Sequence, residues 1–135
     1  MKFEELHVGQ EYRMLRTFSK EDVAQFASVS TDFNPIHLDT EYAEKSMFKR
    51  NIVHGFLTGS LFSAIIGTKM PGEGSIYLKQ DMRFLKPIYI DEEVTAIVSI
   101  KDIKTEKRII TLKTVLENHY GEQAIDGEAV IKFIG

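Results

Sequence analysis

The sequence contains no cysteine. That excludes disulfides, thiolate metal sites and a cysteine nucleophile together. It agrees with a reducing compartment, although cysteine-free secreted proteins also exist. Charge of one sign is concentrated nowhere. The 17 basic and 20 acidic side chains are scattered, and the formal net charge is −3. A nucleic-acid binder needs a concentrated basic surface, which argues against that class. Long hydrophobic runs are missing too. The start, Met1-Lys2-Phe3-Glu4-Glu5-Leu6, has no apolar stretch of signal-peptide length. The most apolar segment, Phe56 to Ile66, is interrupted by Thr58, Gly59, Ser60 and Ser63, and is too short to span a bilayer. The expectation is a cytoplasmic protein that binds neither nucleic acid nor membrane. No repeat, low-complexity tract or linker is visible, so the sequence reads as one domain over residues 1–135.

What is present divides into a mixed first half and a strand-rich second half. Residues 11 to 18 suit a first strand. Ser19 reads as a helix N-cap, with Glu21 and Asp22 in the first turn, where the helix dipole favours acid. Val23, Phe26 and Ala27 then follow at helical spacing, predicting a helix over residues 20 to 29. Residues 30–37 are rich in turn formers and carry Pro35, so they read as irregular. Asp39 or Thr40 is placed to cap a short helix ending near Phe48. Residues 55 to 66 put Phe56, Leu57, Leu61, Phe62, Ala64, Ile65 and Ile66 on nearly every helical face, predicting burial all round. Gly67 and Pro71-Gly72 end that helix.

Beyond it the period changes to two. Alternating sets are Ile76, Leu78, Met82, Phe84, then Val94, Ala96, Val98, Ile100, then Ile110, Leu112, Leu116, and last Ile125, Ala129, Ile131, Phe133. The short connections predict that consecutive strands pair antiparallel. An apolar helix and a meander that must bury one face lead to an α+β architecture. A curved antiparallel sheet wraps a central buried helix, the hot-dog arrangement. A sheet this small covers such a helix better when two protomers pair, so a homodimer is expected.

Two constellations carry possible chemistry. Asp32 and His37 flank Phe33-Asn34-Pro35-Ile36. Asn34 suits local backbone bonding, and Pro35 stiffens the bend. A carboxylate and an imidazole aimed at one point make an acid-base set near neutral pH. The bland alternative is a capping aspartate and a histidine that satisfies a carbonyl. The second constellation is Val53-His54-Gly55-Phe56, at the start of the apolar helix. Helix-tip N–H groups lack internal partners, and glycine lets a carbonyl approach them closely, as an oxyanion hole requires. The alternative is a tight junction with His54 as a cap. Ser60 and Ser63 are expected to be buried and to need hydroxyl partners, or to bond back along the helix. Gln80 interrupts an apolar face and suits either a pocket lining or a sheet edge. His7 and His119 are given no role. The four histidines show no ligand-spaced cluster, so no metal site is expected.

Asp32-Phe33-Asn34-Pro35-Ile36-His37 resembles the Asp-x-Asn-Pro-aliphatic-His signature of the MaoC-like dehydratases, also called hydratase 2. Ile52-Val53-His54-Gly55-Phe56-Leu57 resembles that family's second block. Leu61-Phe62-Ser63 and Gly72-Glu73-Gly74-Ser75-Ile76-Tyr77-Leu78 are similar to the short bacterial (R)-specific enoyl-CoA hydratases of polyhydroxyalkanoate metabolism. The resemblance runs across nearly the whole chain. It implies a hot-dog fold, a homodimer, no metal, no cofactor beyond the CoA of the substrate, and an acyl-CoA thioester as that substrate. It implies Asp32 and His37 as the catalytic pair, the Gly55 N–H as the group that polarises the thioester carbonyl, and Ser63 as a supporting residue, with Asn34 and His54 beside them. Phe56 stands where methionine is common in relatives, which changes pocket shape.

The implied reaction is the reversible hydration of trans-2-enoyl-CoA to (R)-3-hydroxyacyl-CoA. In that reading Asp32 activates water for attack at C3, and His37 is partner and proton donor. Three alternatives share the scaffold: a hot-dog thioesterase, a 3-hydroxyacyl-ACP dehydratase, and a non-catalytic acyl-CoA-binding module. The carrier-protein reading would use a basic patch such as Lys45, Lys49 and Arg50. An intact Asp32 and His37 argues against the binding module.

Overall fold

The structure is a computed structural model that describes residues 1–135. Strand β1 (Glu11–Thr17) leads into α1 (Lys20–Ser30). Ser19 caps α1 as expected. Its hydroxyl oxygen accepts the Asp22 N–H at 3.1 Å, and the Asp22 carboxylate accepts the Ser19 N–H at 2.9 Å. This reciprocal pair satisfies two donors that the first turn would leave open. Helix α1 stops where Thr31 turns left-handed, at φ 65°. The segment expected to be irregular then holds one helical turn, α2 (Pro35–Leu38), followed by α3 (Thr40–Glu44). Pro35 starts α2 because its missing N–H has no role there.

Helix α3 ends before the expected Phe48. The Ser46 hydroxyl donates to the Ala43 carbonyl at 2.6 Å and accepts the Phe48 N–H at 3.1 Å. A serine that takes over backbone partners in this way competes with helix continuation.

Helix α4 (Gly55–Thr68) is followed by β2 (Ser75–Phe84), β3 (Glu93–Lys104), β4 (Ile109–Glu117) and β5 (Gln123–Phe133). The sheet order is β1-β3-β4-β5-β2, antiparallel throughout. The β3-β4-β5 meander is as expected, but β2 does not pair with β3. It crosses to the far edge and pairs with β5. The reason lies in residues 85–92, which spend their hydrogen bonds elsewhere. Leu85 and Lys86 donate to the Ala124 carbonyl, the Ile88 carbonyl accepts from Val53, and Tyr89 bridges Ile52. A segment anchored on the helix approach cannot close a tight hairpin. Strand β2 approaches β5 so closely that a Cβ at Gly127 would collide with the Asp81 carbonyl.

The sheet curves around α4, which packs against β1, β2, β3 and β4, giving the hot-dog arrangement. Phe62, Ile65 and Ile66 of α4 meet Ile100, Ile110, Leu112, Leu116, Ile131 and Phe133 of the sheet in one buried core. Burying each large side chain stabilises by about 1.5–3 kcal/mol. Along this seam a Cβ at Gly59 would come within 2.6 Å of the Met82 sulfur, so the missing side chain permits the close helix–strand contact.

The helix is not buried all round within one chain. Phe56, Ser60, Ser63 and Gly67 recur at helical spacing and form an exposed stripe, with Phe56 68% exposed. Composition showed how apolar the helix is, but not that one chain's sheet covers only part of it.

Candidate active site

Three local structures place the acid-base residues. The turn after α1 carries Asp32, the single-turn α2 carries His37, and the tip of α4 carries His54. Each is held by short-range bonds. The Ser30 hydroxyl donates to the Phe26 carbonyl and accepts the Asp32 N–H at 3.1 Å. The Asn34 N–H donates to the Asp32 carboxylate at 3.2 Å, and the Asn34 side-chain oxygen caps α2 by accepting from Ile36 N–H at 3.3 Å. Asn34 therefore ties the carboxylate, through its own N–H, to the helix that bears His37.

The two rings are held by main-chain carbonyls. Nδ1 of His37 lies 2.8 Å from the Ile52 carbonyl oxygen. Nε2 of His54 lies 3.0 Å from the Asp32 carbonyl oxygen. The imidazoles stack, with centroids 3.8 Å apart and planes 28° apart. One carboxylate oxygen of Asp32 and one nitrogen from each ring lie within 4.8 Å of one another. Asp32 faces solvent, His37 is 9% exposed and His54 is 1% exposed. Burial is the largest influence on the His37 imidazole and lowers its pKa. The Ile52 carbonyl pulls it up, the His54 ring lowers it, and the Asp32 charge raises it. The balance falls below the ordinary 6.5. Such an imidazole is neutral at neutral pH and ready to take a proton.

Three histidine and carboxylate atoms this close also resemble a metal-ligand set. Two of the four ring nitrogens are already committed to carbonyls, and the remaining nitrogen of His54, Nδ1, is enclosed without a partner. A ring that gives one N–H to a carbonyl keeps a single lone pair, which can serve proton transfer or coordination.

Gly55 begins α4 as expected. Its N–H and that of Phe56 have no acceptor in the chain, since the first cap bonds run from Leu57 and Thr58 to the His54 carbonyl. A cavity of about 510 Å³ opens beside this tip. It is lined by Gly55, Phe56, Phe84, Met47, Leu85 and Ile88, among others. A Cβ at Gly55 would stand 2.6 Å from the Phe84 ring, so glycine keeps the tip and ring in place together. Asp32 and His37 lie outside this lining and join the tip through His54.

The serines differ from expectation. Both Ser60 and Ser63 are exposed on the uncovered stripe of α4. Ser60 donates back to the Leu57 carbonyl at 2.5 Å. The Ser63 hydroxyl has no hydrogen-bond partner within the chain and is not joined to Asp32 or His37. Gln80 is half-buried on the edge strand β2, where its amide donates to the Thr114 hydroxyl at 2.9 Å and its oxygen accepts from the Tyr77 hydroxyl at 2.9 Å. Of the basic residues, Lys45 lies 3.5 Å from Glu41, and Arg50 stacks on Tyr89 with its guanidinium carbon 4.0 Å from the ring centroid.

His7 is exposed, but His119 has a partner that sequence reasoning missed. Its Nδ1 and its N–H both meet the Glu92 carboxylate. Burial alone would raise the Glu92 carboxyl. The Tyr89 N–H and the two His119 contacts outweigh burial and hold it below its ordinary value. The pair clamps the β2–β3 and β4–β5 connections together. Residues far apart in sequence gave no sign of it.

The MaoC like domain model matches residues 4–121. The chain is 45% identical over 132 residues to an (R)-specific enoyl-CoA hydratase of Aeromonas caviae, covering 98% of each chain. The solved structure of the (R)-hydratase from A. caviae involved in PHA biosynthesis superposes with a TM-score of 0.94 at 45% identity. It covers 96% of this chain and 98% of that one. A mitochondrial 3-hydroxyacyl-[acyl-carrier-protein] dehydratase of Arabidopsis thaliana is 39% identical over 92% of this chain and 75% of its own.

Proposed function

We propose that this chain, which belongs to the MaoC-like domain family, is an (R)-specific enoyl-CoA hydratase. It adds water reversibly to trans-2-enoyl-CoA and yields (R)-3-hydroxyacyl-CoA. The observation that carries this reading is the Asp32 carboxylate and the His37 imidazole within 4.8 Å of each other, beside a helix tip whose N–H groups are free.

The chemistry follows from these groups. A water held between Asp32 and His37 attacks C3 of the enoyl thioester. As its oxygen bonds to C3, one proton passes to the pair and the C2–C3 π electrons move toward the thioester carbonyl. The N–H at Gly55 faces the negative oxygen that results, which is where a preorganised donor acts most strongly. The pair then returns a proton to C2, and the hydroxyl stays on C3. Neutral His37 offers Nε2 as a lone pair, because its Nδ1 proton faces Ile52. It therefore enters the cycle as an acceptor and donates only after receiving a proton. Both groups lie on one face of the double bond, which fixes the configuration at C3. No resident cofactor or metal is needed, since CoA arrives as part of the substrate.

A second copy of the chain belongs to this reading. The exposed stripe of α4 and the free edge of β2, where Ile76 and Leu78 are 45% and 57% exposed, both call for cover. A homodimer would supply it. No helix is long and apolar enough to cross a membrane, and the enzyme is expected to work in the cytoplasm.

The test is hydration of crotonyl-CoA with chiral analysis of the product. Loss of enoyl absorbance without free thiol, giving the (R) alcohol, supports the hydratase. Thiol release would show a thioesterase instead. The similarity to the plant dehydratase favours one variant of the same reaction, in which the thioester is carried by acyl-carrier protein. Lys45, Lys49 and Arg50 are all exposed, and they form the basic patch that such a carrier would meet. Comparing kcat/KM on matched CoA and carrier-protein thioesters separates the two.

A further inference from the structure

His54 is buried, titratable and not used in the reaction just described. It occupies the N-cap of α4 but makes no cap bond with its side chain. Ser19 and Asp39, at the caps of α1 and α3, both do. Instead the His54 ring turns back across the chain to the Asp32 carbonyl. A carbonyl oxygen only accepts, so Nε2 carries the proton and the ring is fixed in that tautomer. Nδ1 is then a bare lone pair, enclosed and without a partner. An enclosed polar atom left unmatched disfavours folding, and an apolar side chain would fill the same space without that cost.

Two other rings pack against this one. The Phe26 ring meets it nearly edge-on, with centroids 4.8 Å apart, and His37 stacks on it at 3.8 Å. His54 thus touches both members of the acid-base pair through different atoms: the Asp32 backbone through Nε2, and the His37 ring through its π face. Asp32 and His37 share no direct hydrogen bond, so their separation depends on the groups that hold each of them.

We propose that His54 is a positioning residue, whose Nε2–H and ring face fix the Asp32 backbone and the His37 plane relative to each other so that both reach one water. This rests on reading Asp32 and His37 as the acid-base pair. Misplacing reacting groups by about 1 Å can cost about 10²-fold in rate. The groups facing His37 are the Asp32 carboxylate from the turn after α1 and the His54 ring from α4, with the Ile52 carbonyl on Nδ1.

The experiment compares His54→Gln, His54→Phe and His37→Ala in the full-length protein, with crotonyl-CoA as substrate. Glutamine places an N–H near where Nε2 sits, whereas phenylalanine keeps the ring and loses the donor. The expected result is that His54→Phe folds, keeps KM within about threefold and loses about 10²-fold in kcat. Its acid limb in kcat/KM moves to higher pH, because a neighbour that disfavours the His37 cation is gone. His54→Gln restores kcat to within about tenfold of the parent. If His54→Phe keeps parental kcat and an unmoved acid limb while His37→Ala is inactive, the proposal is overturned and the pair stands. Equal losses in both His54 variants, with an unmoved acid limb, also overturn it, because restoring the N–H donor would then recover nothing. If His37→Ala is fully active, the pair itself is wrong and the proposal falls with it.

Discussion

Nδ1 of His37 faces the carbonyl oxygen of Ile52 at 2.8 Å, fifteen positions along the chain. The bond settles which nitrogen of the neutral ring holds the proton, and so which end is open to water. Burial first, and the His54 ring after it, hold the imidazole below its ordinary 6.5 against the opposing pull of Ile52 and Asp32. The working form is the neutral ring, so activity is lost as pH falls through the folded-state pKa. The acid limb of kcat/KM should have its midpoint below 6.5. A rate profile over the acidic and neutral range checks this, and a midpoint above that value would contradict the assignment.

Asp32→Asn and His37→Ala should each lower turnover by at least about 10²-fold, the usual contribution of a positioned acid or base. Asp32 is exposed, and the buried His37 ring lies outside the apolar core cluster, so neither change opens that core. Circular dichroism and the melting temperature should stay near the parent's. A variant with near-full hydratase activity would end the proposed division of labour.

Gly127→Ala should destabilise the fold without touching the acid-base pair. The added methyl would run into the Asp81 carbonyl on the neighbouring strand, and backbone there cannot step aside as a side chain could. Overpacking of this kind commonly costs about 1–3 kcal/mol. Urea denaturation would show a lower midpoint, and an unchanged midpoint would mean that β2 and β5 can separate more freely than their pairing indicates.

Leu78→Lys should weaken self-association. Leu78 sits at the bulge of β2, on the unpaired edge, and is 57% exposed. A charge on an open edge opposes strand pairing. Sedimentation velocity should show a dimer for the parent and a shift toward monomer for the variant. A monomeric parent would remove the expected second copy.

The elements were legible in the sequence where a local rule governed them. Ser19 announced the N-cap of α1, the run from Gly55 announced α4, and period-two alternation announced four of the strands. The neighbour of β2 was not legible. It depends on where residues 85–92 spend their hydrogen bonds, and those partners include residues 18, 51–53 and 124. The uncovered stripe of α4 was hidden for a similar reason. Ser60 and Ser63 have the same composition whether a sheet lies over them or not. At the site, Asp32, Asn34 and His37 stood out because short spacing holds them near each other, and Gly55 stood out because it opens the apolar helix. The grip of His54 on the Asp32 carbonyl, across 22 positions, left no mark in the pattern of residue types.

Both imidazoles are moored to peptide oxygens, at positions 32 and 52, rather than to side chains. Every amino acid supplies that oxygen, so position 52 is free to drift among aliphatic residues without unfastening His37. Chain length has no such freedom. Adding or deleting one residue between 37 and 52 would swing the oxygen away from its ring, so this stretch should tolerate substitution and resist insertion.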